Sequence, residues 1–163
     1  MPTDMNFYYS SKLTWGGGKR GTLSAEGMPE IEVATPPEFQ GPHGLWSPEH
    51  LFVAAANACL MTTFLAIAEK SKMVIEDYSS SATGTLEKVE SGASRTTDET
   101  GLQVTQVVIR PRLTLADERD REKAGKVIAK AEKQCLIARS MKTRITVKPE
   151  ILVAKNTAKA VSM

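Results

Sequence analysis

The longest apolar run of the chain lies at residues 51–68, where alanine, valine, leucine and phenylalanine follow one another with few interruptions. The residues just before this run are typical of the start of a helix. Ser47 can cap the first free N–H groups, Pro48 suits the first helical position, and Glu49 complements the positive end of the helix dipole. The pattern therefore predicts a helix that begins at Pro48 and ends near residue 71.

This apolar run is also long enough to cross a membrane. It contains the polar residues Asn57, Thr62 and Thr63, and charged residues flank it closely at both ends. Much of the rest is alanine, whose small side chain permits close packing. We expect a buried helix of a soluble protein rather than a membrane span.

Extended segments and turn residues alternate in the rest of the chain. Residues 15–21, WGGGKRG, predict a glycine-rich turn, and glycine and proline interrupt the loop at residues 38–46. Strands are predicted over residues 6–14, 22–27, 31–37, 79–90, 101–115 and 144–154. Residues 91–100 are expected to form a flexible hairpin loop, and residues 156–163 a frayed tail.

A second helix is predicted after Asp117, which can act as its cap. Its apolar and small residues recur every three or four positions and so share one face. They are Ala124, Val127, Ile128, Ala131, Cys135 and Ala138. The order of three strands, a long buried helix, two strands, a helix and a strand indicates an α+β fold with mainly antiparallel pairing. No linker divides the chain, so one domain is expected over residues 1–163, with its core at about residues 6–154.

Composition and charge narrow the classes of function. The 163 residues carry a net charge of +2 and no basic patch with interleaved aromatics, so neither nucleic acid nor an anionic membrane is an expected partner. The N-terminus lacks a charged segment followed by an apolar one, which indicates a cytoplasmic protein without a signal peptide. His43 and His50 lack metal-ligand spacing and the glycine-rich turn lacks the P-loop pattern, so no bound metal or cofactor is expected.

The chain has two cysteines, Cys59 in the apolar run and Cys135 on the apolar face of the second helix. They form no CxxC motif and are too few for a disulfide framework. A buried cysteine is most often a small hydrophobic residue of the core. Two thiols within reach of each other can instead form a redox pair, in which one becomes a sulfenic acid and the other condenses with it to a disulfide. The residues alone leave both interpretations open.

Asn57 points to a different side of the helix from Cys59, and its polar groups are expected to find hydrogen-bond partners elsewhere.

Three segments are similar to those of one known family. SPEHLFVAAANAC, at residues 47–59, resembles the segment that leads to the reactive cysteine in the OsmC/Ohr family of osmotically inducible and organic hydroperoxide resistance proteins. AEKQC, at residues 131–135, resembles the site of the second cysteine, and WGGGKRG resembles the N-terminal glycine-rich turn. The order of elements also matches, so the resemblance extends over about residues 8–154.

This resemblance implies an activity and a site. Members of the family are thiol-dependent peroxidases that reduce organic hydroperoxides, or stress-induced relatives, and they form intertwined homodimers with two active sites at the subunit interface. By resemblance Cys59 is the peroxidatic cysteine, Cys135 is the resolving cysteine, and Glu49 matches the glutamate that holds the active-site arginine, for which Arg20 is the candidate. The implied reductant is an external dithiol of the lipoyl type, with no bound cofactor.

The chain departs from the family pattern at two places. In the organic hydroperoxide branch the arginine directly follows the glycine pair, whereas here Lys19 stands between Gly18 and Arg20 and competes for the role. Many members have proline after the second cysteine, whereas here Leu136 follows Cys135. Both departures favour a general OsmC-like protein. They leave open a non-catalytic stress-response or small-molecule-binding protein with vestigial cysteines.

The spacing of Glu49 and Cys59 leads to an expectation about assembly. They are ten residues apart on the predicted helix, which separates them by about 15 Å along a straight axis. Either the first turn folds away from the helix, or a second copy of the chain supplies the glutamate and its basic partner. We expect an obligate homodimer with each active site built across the interface.

Overall fold

The computed structural model describes residues 5–90 and 100–155. The chain divides into two compact units, Met1–Leu51 and Phe52–Met163. The first unit holds a three-stranded sheet, and the second holds a four-stranded sheet with helices packed on it. The fold is α+β, as the sequence predicts. A single domain over the whole chain stays a prediction.

The sheet of the first unit is antiparallel, in the order β1-β2-β3. Its elements are β1 (Lys12–Trp15), β2 (Arg20–Ser24), β3 (Ile31–Ala34) and a 3₁₀ turn at Pro37–Phe39. The glycine-rich segment forms the turn between β1 and β2, where Gly17 and Gly18 have positive φ, which larger residues rarely adopt. The prediction of a strand over residues 6–14 is wrong at its N-terminal end, because pairing with β2 begins at Lys12.

The helix α1 (Pro48–Lys70) begins and ends close to where the sequence predicts. The predicted cap is confirmed, since the Ser47 hydroxyl oxygen accepts a hydrogen bond from the His50 N–H at 3.2 Å. After the helix, Lys72 adopts a left-handed φ of 53°, and its N–H donates to the Glu69 carbonyl at 2.9 Å.

The apolar surface of α1 extends around the helix, but the single chain buries it along one stripe. The buried residues recur every four positions and belong to the core of the second unit. They are Ala56, Leu60, Phe64 and Ala68. By length and composition α1 could cross a membrane, with 22% of its most apolar window buried, although the core helix of a soluble protein passes the same test. The expectation of a buried helix therefore holds along this stripe and not elsewhere in the single chain.

A long hairpin forms the base of the second unit. β4 (Ile75–Glu90) and β5 (Thr100–Leu115) pair antiparallel, with Ala82 opposite Ile109. The hairpin loop predicted at residues 91–100 lies outside the described residues except for Thr100, where β5 begins. The predicted tail after residue 155 also lies outside them.

One predicted strand is in fact two. In place of a single strand over residues 144–154, β6 (Arg144–Val147) and β7 (Glu150–Val153) both run parallel to β5. The break falls at Lys148 and Pro149 because proline has no N–H to donate to the ladder. The sheet is therefore mixed, with an antiparallel neighbour on one side of β5 and parallel neighbours on the other.

The second predicted helix is also two. A 3₁₀ turn at Glu118–Asp120, capped by Asp117, leads into α2 (Arg121–Gln134), and α3 (Leu136–Ser140) follows. Cys135 lies between α2 and α3 with φ −60° and ψ 110°, an extended conformation that ends α2. The prediction that Cys135 lies on the second helix is wrong, because the three-and-four spacing continues across a break that periodicity cannot locate.

The core of the second unit lies between one face of its sheet and the helices. Leu113 and Leu115 of β5 are fully buried, and Phe64 of α1 packs against Tyr78 of β4 with ring centroids 5.6 Å apart. The contribution of α2 is Ala124, Val127, Ile128 and Ala131, four of the residues that the helical spacing selects. This packing holds α1 on the sheet and so sets the position of Cys59.

Candidate functional site

The fold brings the two cysteines together. Cys59 lies in the middle of α1 and is half-buried, whereas Cys135 lies at the junction of α2 and α3 and is 2% exposed. Both are free thiols, and each lies close enough to the other to shift its pKa. The second unit thus places the two thiols near each other, as a redox pair requires.

Four neighbouring groups lower the pKa of Cys59. They are the Cys135 thiol, the backbone N–H of Ile137, the Thr63 hydroxyl and the backbone N–H of Leu136. Thr63 lies one helical turn after Cys59, with its Oγ1 at 3.9 Å from Sγ. Burial by itself raises the pKa of Cys59, but the hydrogen bonds together outweigh burial, so the pKa lies below that of an ordinary cysteine.

The pKa of Cys135 shifts in the opposite direction. Burial raises the pKa of this thiol, and its hydrogen bond to Cys59 raises it further. Cys59 is therefore the thiol that ionises more easily and is partly exposed, whereas burial and the neighbouring Cys59 disfavour ionisation of Cys135. A redox pair in which one thiol attacks first and the other reacts afterwards requires such a difference in pKa.

The first unit holds the other two predicted site residues. Glu49 lies in the first turn of α1, and its Oε2 is buried without a hydrogen-bond partner among the described residues. Arg20 is the first residue of β2 and forms no ion pair within the described part of the chain. The cation predicted to pair with Glu49 is therefore not supplied by the chain as described.

The glycine-rich turn gives its two cations different surroundings. Both line an open hollow of about 410 Å³ in the first unit, beside Leu13 and Trp15. The Lys19 ammonium donates to the Phe39 carbonyl at 2.7 Å, whereas the guanidinium of Arg20 has no acceptor within residues 5–90 and 100–155. This difference favours Arg20 over Lys19 as the cation with donors to spare.

Asn57 takes part in packing rather than in the site. The Ser80 hydroxyl donates to its Oδ1 at 2.6 Å and so links α1 to β4. The prediction that Asn57 is satisfied away from Cys59 is confirmed.

Sequence reasoning missed the donors to the Cys59 sulfur. Thr63 carries a local signal, since a residue four positions after Cys59 lies on the same side of the helix. The N–H groups of Leu136 and Ile137 carry none, because they are free only where the helix breaks after Gln134.

Comparison with known proteins agrees with this architecture. The family model described as OsmC-like protein matches residues 41–150. The chain is 26% identical over 155 residues to the uncharacterized protein YmaD of Bacillus subtilis, an alignment that covers 92% of this chain and 95% of that protein.

Solved structures share the fold. An OsmC-like protein of unknown function from Vibrio cholerae superposes with a TM-score of 0.76 at 24% identity, covering 88% of this chain and 99% of that one. An organic hydroperoxide resistance protein OsmC from Legionella pneumophila has a TM-score of 0.64 at 23% identity, with coverage of 91% and 100%. The organic hydroperoxide resistance protein OhrB of Bacillus subtilis has a TM-score of 0.56 at 20% identity, with coverage of 88% and 98%. Since the family model spans well over half of the chain and includes both cysteines, this chain belongs to the OsmC-like protein family.

Proposed function

We propose that this chain is a thiol-dependent peroxidase that reduces organic hydroperoxides with Cys59 and Cys135. The observation that carries the proposal is the proximity of a partly exposed thiol of lowered pKa to a buried thiol of raised pKa. Membership of the family supports it, since neighbours from Legionella pneumophila and Bacillus subtilis are named organic hydroperoxide resistance proteins.

The first step is attack of the Cys59 thiolate on the terminal oxygen of the hydroperoxide. An S–O bond forms as the O–O bond breaks, the alkoxide leaves and takes up a proton to become an alcohol, and Cys59 becomes a sulfenic acid. A lowered pKa assists this step because the thiolate, not the thiol, is the nucleophile.

Cys135 carries out the second step. Its sulfur attacks the Cys59 sulfur, an S–S bond forms, and the sulfenic hydroxyl leaves with the proton of Cys135 as water. An external dithiol then restores both thiols by exchange and is itself oxidised to a disulfide. Such a cycle requires a compartment that keeps dithiols reduced, which favours the cytoplasm.

Titration of the free thiols with cumene hydroperoxide tests the proposal. One equivalent of the hydroperoxide is expected to remove both thiols rapidly and leave an intramolecular disulfide.

Two variants test the order of the steps. Cys59→Ser is expected to abolish turnover, whereas Cys135→Ser still consumes one equivalent and leaves a sulfenic acid that dimedone traps. Equal partial losses in the two variants contradict the assigned order of the steps. Slow thiol loss at the rate of free cysteine would identify a non-catalytic OsmC-like protein with vestigial cysteines.

We also propose that the active form is a homodimer. Apolar side chains of the second unit remain exposed in the single chain, among them Leu65 at 37% and Leu136 at 68%, and a two-fold partner can cover such surface. The buried Oε2 of Glu49 lacks a donor among the described residues, and buried carboxylate oxygens normally have one. A second copy would supply it, and Arg20 is the cation whose forked donors suit a carboxylate.

Mixed dimers test the crossed site. Co-expressed Cys59→Ser and Glu49→Ala chains, each inactive alone, are expected to regain activity in the heterodimer, because one of its two sites keeps both intact residues. Absence of recovery points to a glutamate supplied by the same chain. Sedimentation that shows a stable monomer at micromolar concentration contradicts the dimer itself.

A further inference from the structure

We propose that the open hollow of the first unit holds the organic group of the hydroperoxide, and that Trp15 and Gly21 suit it to a compact aromatic or branched group. This assignment rests on the proposed function, since it gives the specificity of the same reaction. Every residue that lines the hollow belongs to Met1–Leu51. The volume of about 410 Å³ lies at the small end of the range for ligand sites, which favours a compact group over a long chain.

The register of the three strands explains why a hollow forms there. Trp15 pairs with Gly21, and Gly21 pairs with Val33, so the three residues form one row across β1, β2 and β3. Side chains of such a row lie on the same face of the sheet. Because the middle residue has no side chain, a gap separates the indole from Val33. Leu13 borders this gap, since a Cβ at Gly21 would lie 3.2 Å from its Cδ1.

The walls of the hollow are apolar, and one of them is an aromatic ring in a fixed position. The Trp15 indole is 77% exposed in the single chain, and its Nε1–H donates to the Gly18 carbonyl at 2.9 Å. A ring held in this way offers a face on which an aromatic group can stack. The other apolar residues of the lining are Leu13, Val33, Ala34 and Pro48.

Arg20 also lines the hollow and can contact the peroxide end of the substrate. A guanidinium has five N–H donors and a carboxylate such as Glu49 uses two, so donors remain for a peroxide oxygen. A hydroperoxide whose O–O end lies at Arg20 can place its organic group against Trp15. Hydrogen peroxide has no such group and gains nothing from the hollow.

Binding is measured first without peroxide, with cumyl alcohol, the product of cumene hydroperoxide reduction. In Trp46→Phe the remaining tryptophan is Trp15, and a saturable change in its emission is expected. In Trp15→Phe the remaining tryptophan does not line the hollow, so no such change is expected. In the Trp46→Phe background, Gly21→Ala is expected to weaken binding about tenfold, because its methyl group crowds the gap. Gly16→Ala is the matched control, since its Cβ meets only the Arg20 carbonyl at 3.8 Å and lies outside the lining.

Kinetics with different peroxides then test the specificity. Trp15→Ala is expected to lower the ratio of kcat/KM for cumene hydroperoxide to kcat/KM for hydrogen peroxide about tenfold, the scale of one lost aromatic contact. Trp15→Phe is expected to keep most of this ratio. For a hydroperoxide with a long unbranched chain, Trp15→Ala is expected to lower the corresponding ratio less, because most of the chain extends past the hollow.

Absence of a saturable change in Trp46→Phe, or an equal change in Trp15→Phe, overturns the inference. Equal affinities of Gly21→Ala and Gly16→Ala also overturn it. If Gly21→Ala does not fold, Trp15→Ala decides, and an unchanged ratio there refutes the inference. A larger effect of Trp15→Ala on the long-chain hydroperoxide refutes the assigned substrate class. A protein that binds cumyl alcohol as expected but reduces no hydroperoxide supports the hollow as a binding site and counts against the proposed function alone.

Discussion

Replacing Gly84 by alanine is expected to disturb the contact between β4 and α1. An added Cβ would lie 2.6 Å from Cγ2 of Val53, closer than real Cβ contacts come, whereas the next atom, Cγ1 of Val104, is at an ordinary 3.5 Å. The φ of Gly84 lies outside the left-handed region, so alanine fits the backbone there. The contact with Val53 is therefore the main source of the expected cost.

The magnitude follows from this one contact. An added methyl group in a packed contact typically costs about 1–3 kcal/mol in the free energy of unfolding. Val53→Ala alone removes two methyl groups from a half-buried side chain and costs about 1 kcal/mol. In the double variant the new methyl group at position 84 enters the space that Val53 vacates, and the reduced freedom of the unfolded chain contributes about 0.4–1 kcal/mol of stability. The double variant is thus expected to be at least as stable as Val53→Ala.

Urea unfolding at one fixed protein concentration measures these differences, since assembly would add to the apparent stability. Gly101→Ala is the matched control, because Gly101 also lies in a strand, β5, and its added Cβ meets nothing within 4 Å. No loss is expected there. A cost of Gly84→Ala that stays the same, within about 0.5 kcal/mol, with valine or alanine at position 53 would refute the reasoning.

Lys72→Gly is expected to raise the free energy of unfolding by up to about 1 kcal/mol, because glycine adopts the left-handed φ of 53° without strain; a lower urea midpoint contradicts this. Asn57→Ala and Ser80→Ala are each expected to cost about 1 kcal/mol, and the double variant less than their sum, because either single change leaves a half-buried partner unmatched; additive losses in urea unfolding argue against the link. In the native protein, iodoacetamide is expected to label Cys59 from a lower pH than an ordinary cysteine, since hydrogen bonds outweigh the effect of burial on its pKa. Cys135 is buried and has a raised pKa, so it is expected to be labelled only after denaturant is added. Peptide mapping over a pH series checks this order, and equal labelling rates speak against it.

Elements with local signals can be predicted from the sequence. The cap at Ser47 and the unbroken apolar run define α1 almost to the residue, because the cap bonds only groups within its own first turn. The three-and-four spacing likewise selects the face of α2 that is buried. The division between β6 and β7 also has a local signal. It is Pro149, since a proline within a strand pattern interrupts the ladder of hydrogen bonds between strands.

Other features depend on partners that are distant in the sequence. The parallel pairing of β6 and β7 with β5 is one of them, since a strand pattern does not state which strand lies beside it. The break at Cys135 is another, because its apolar spacing is the same in a continuous helix and in an interrupted one. The cation predicted to pair with Glu49 also lies far from it in the sequence, because Arg20 belongs to a different element, β2.

The sequence by itself determines that Cys59 lies on an apolar helix, that Cys135 belongs to a second buried face, and that the chain resembles one thiol-based family. Only the tertiary structure decides that the two thiols lie near each other and that the pKa of Cys59 falls while that of Cys135 rises. The physical reason is that a pKa depends on the donors around the sulfur and on its burial. For Cys59, most of those donors come from the distant junction of α2 and α3, whose N–H groups are exposed only by a helix break that no local pattern encodes.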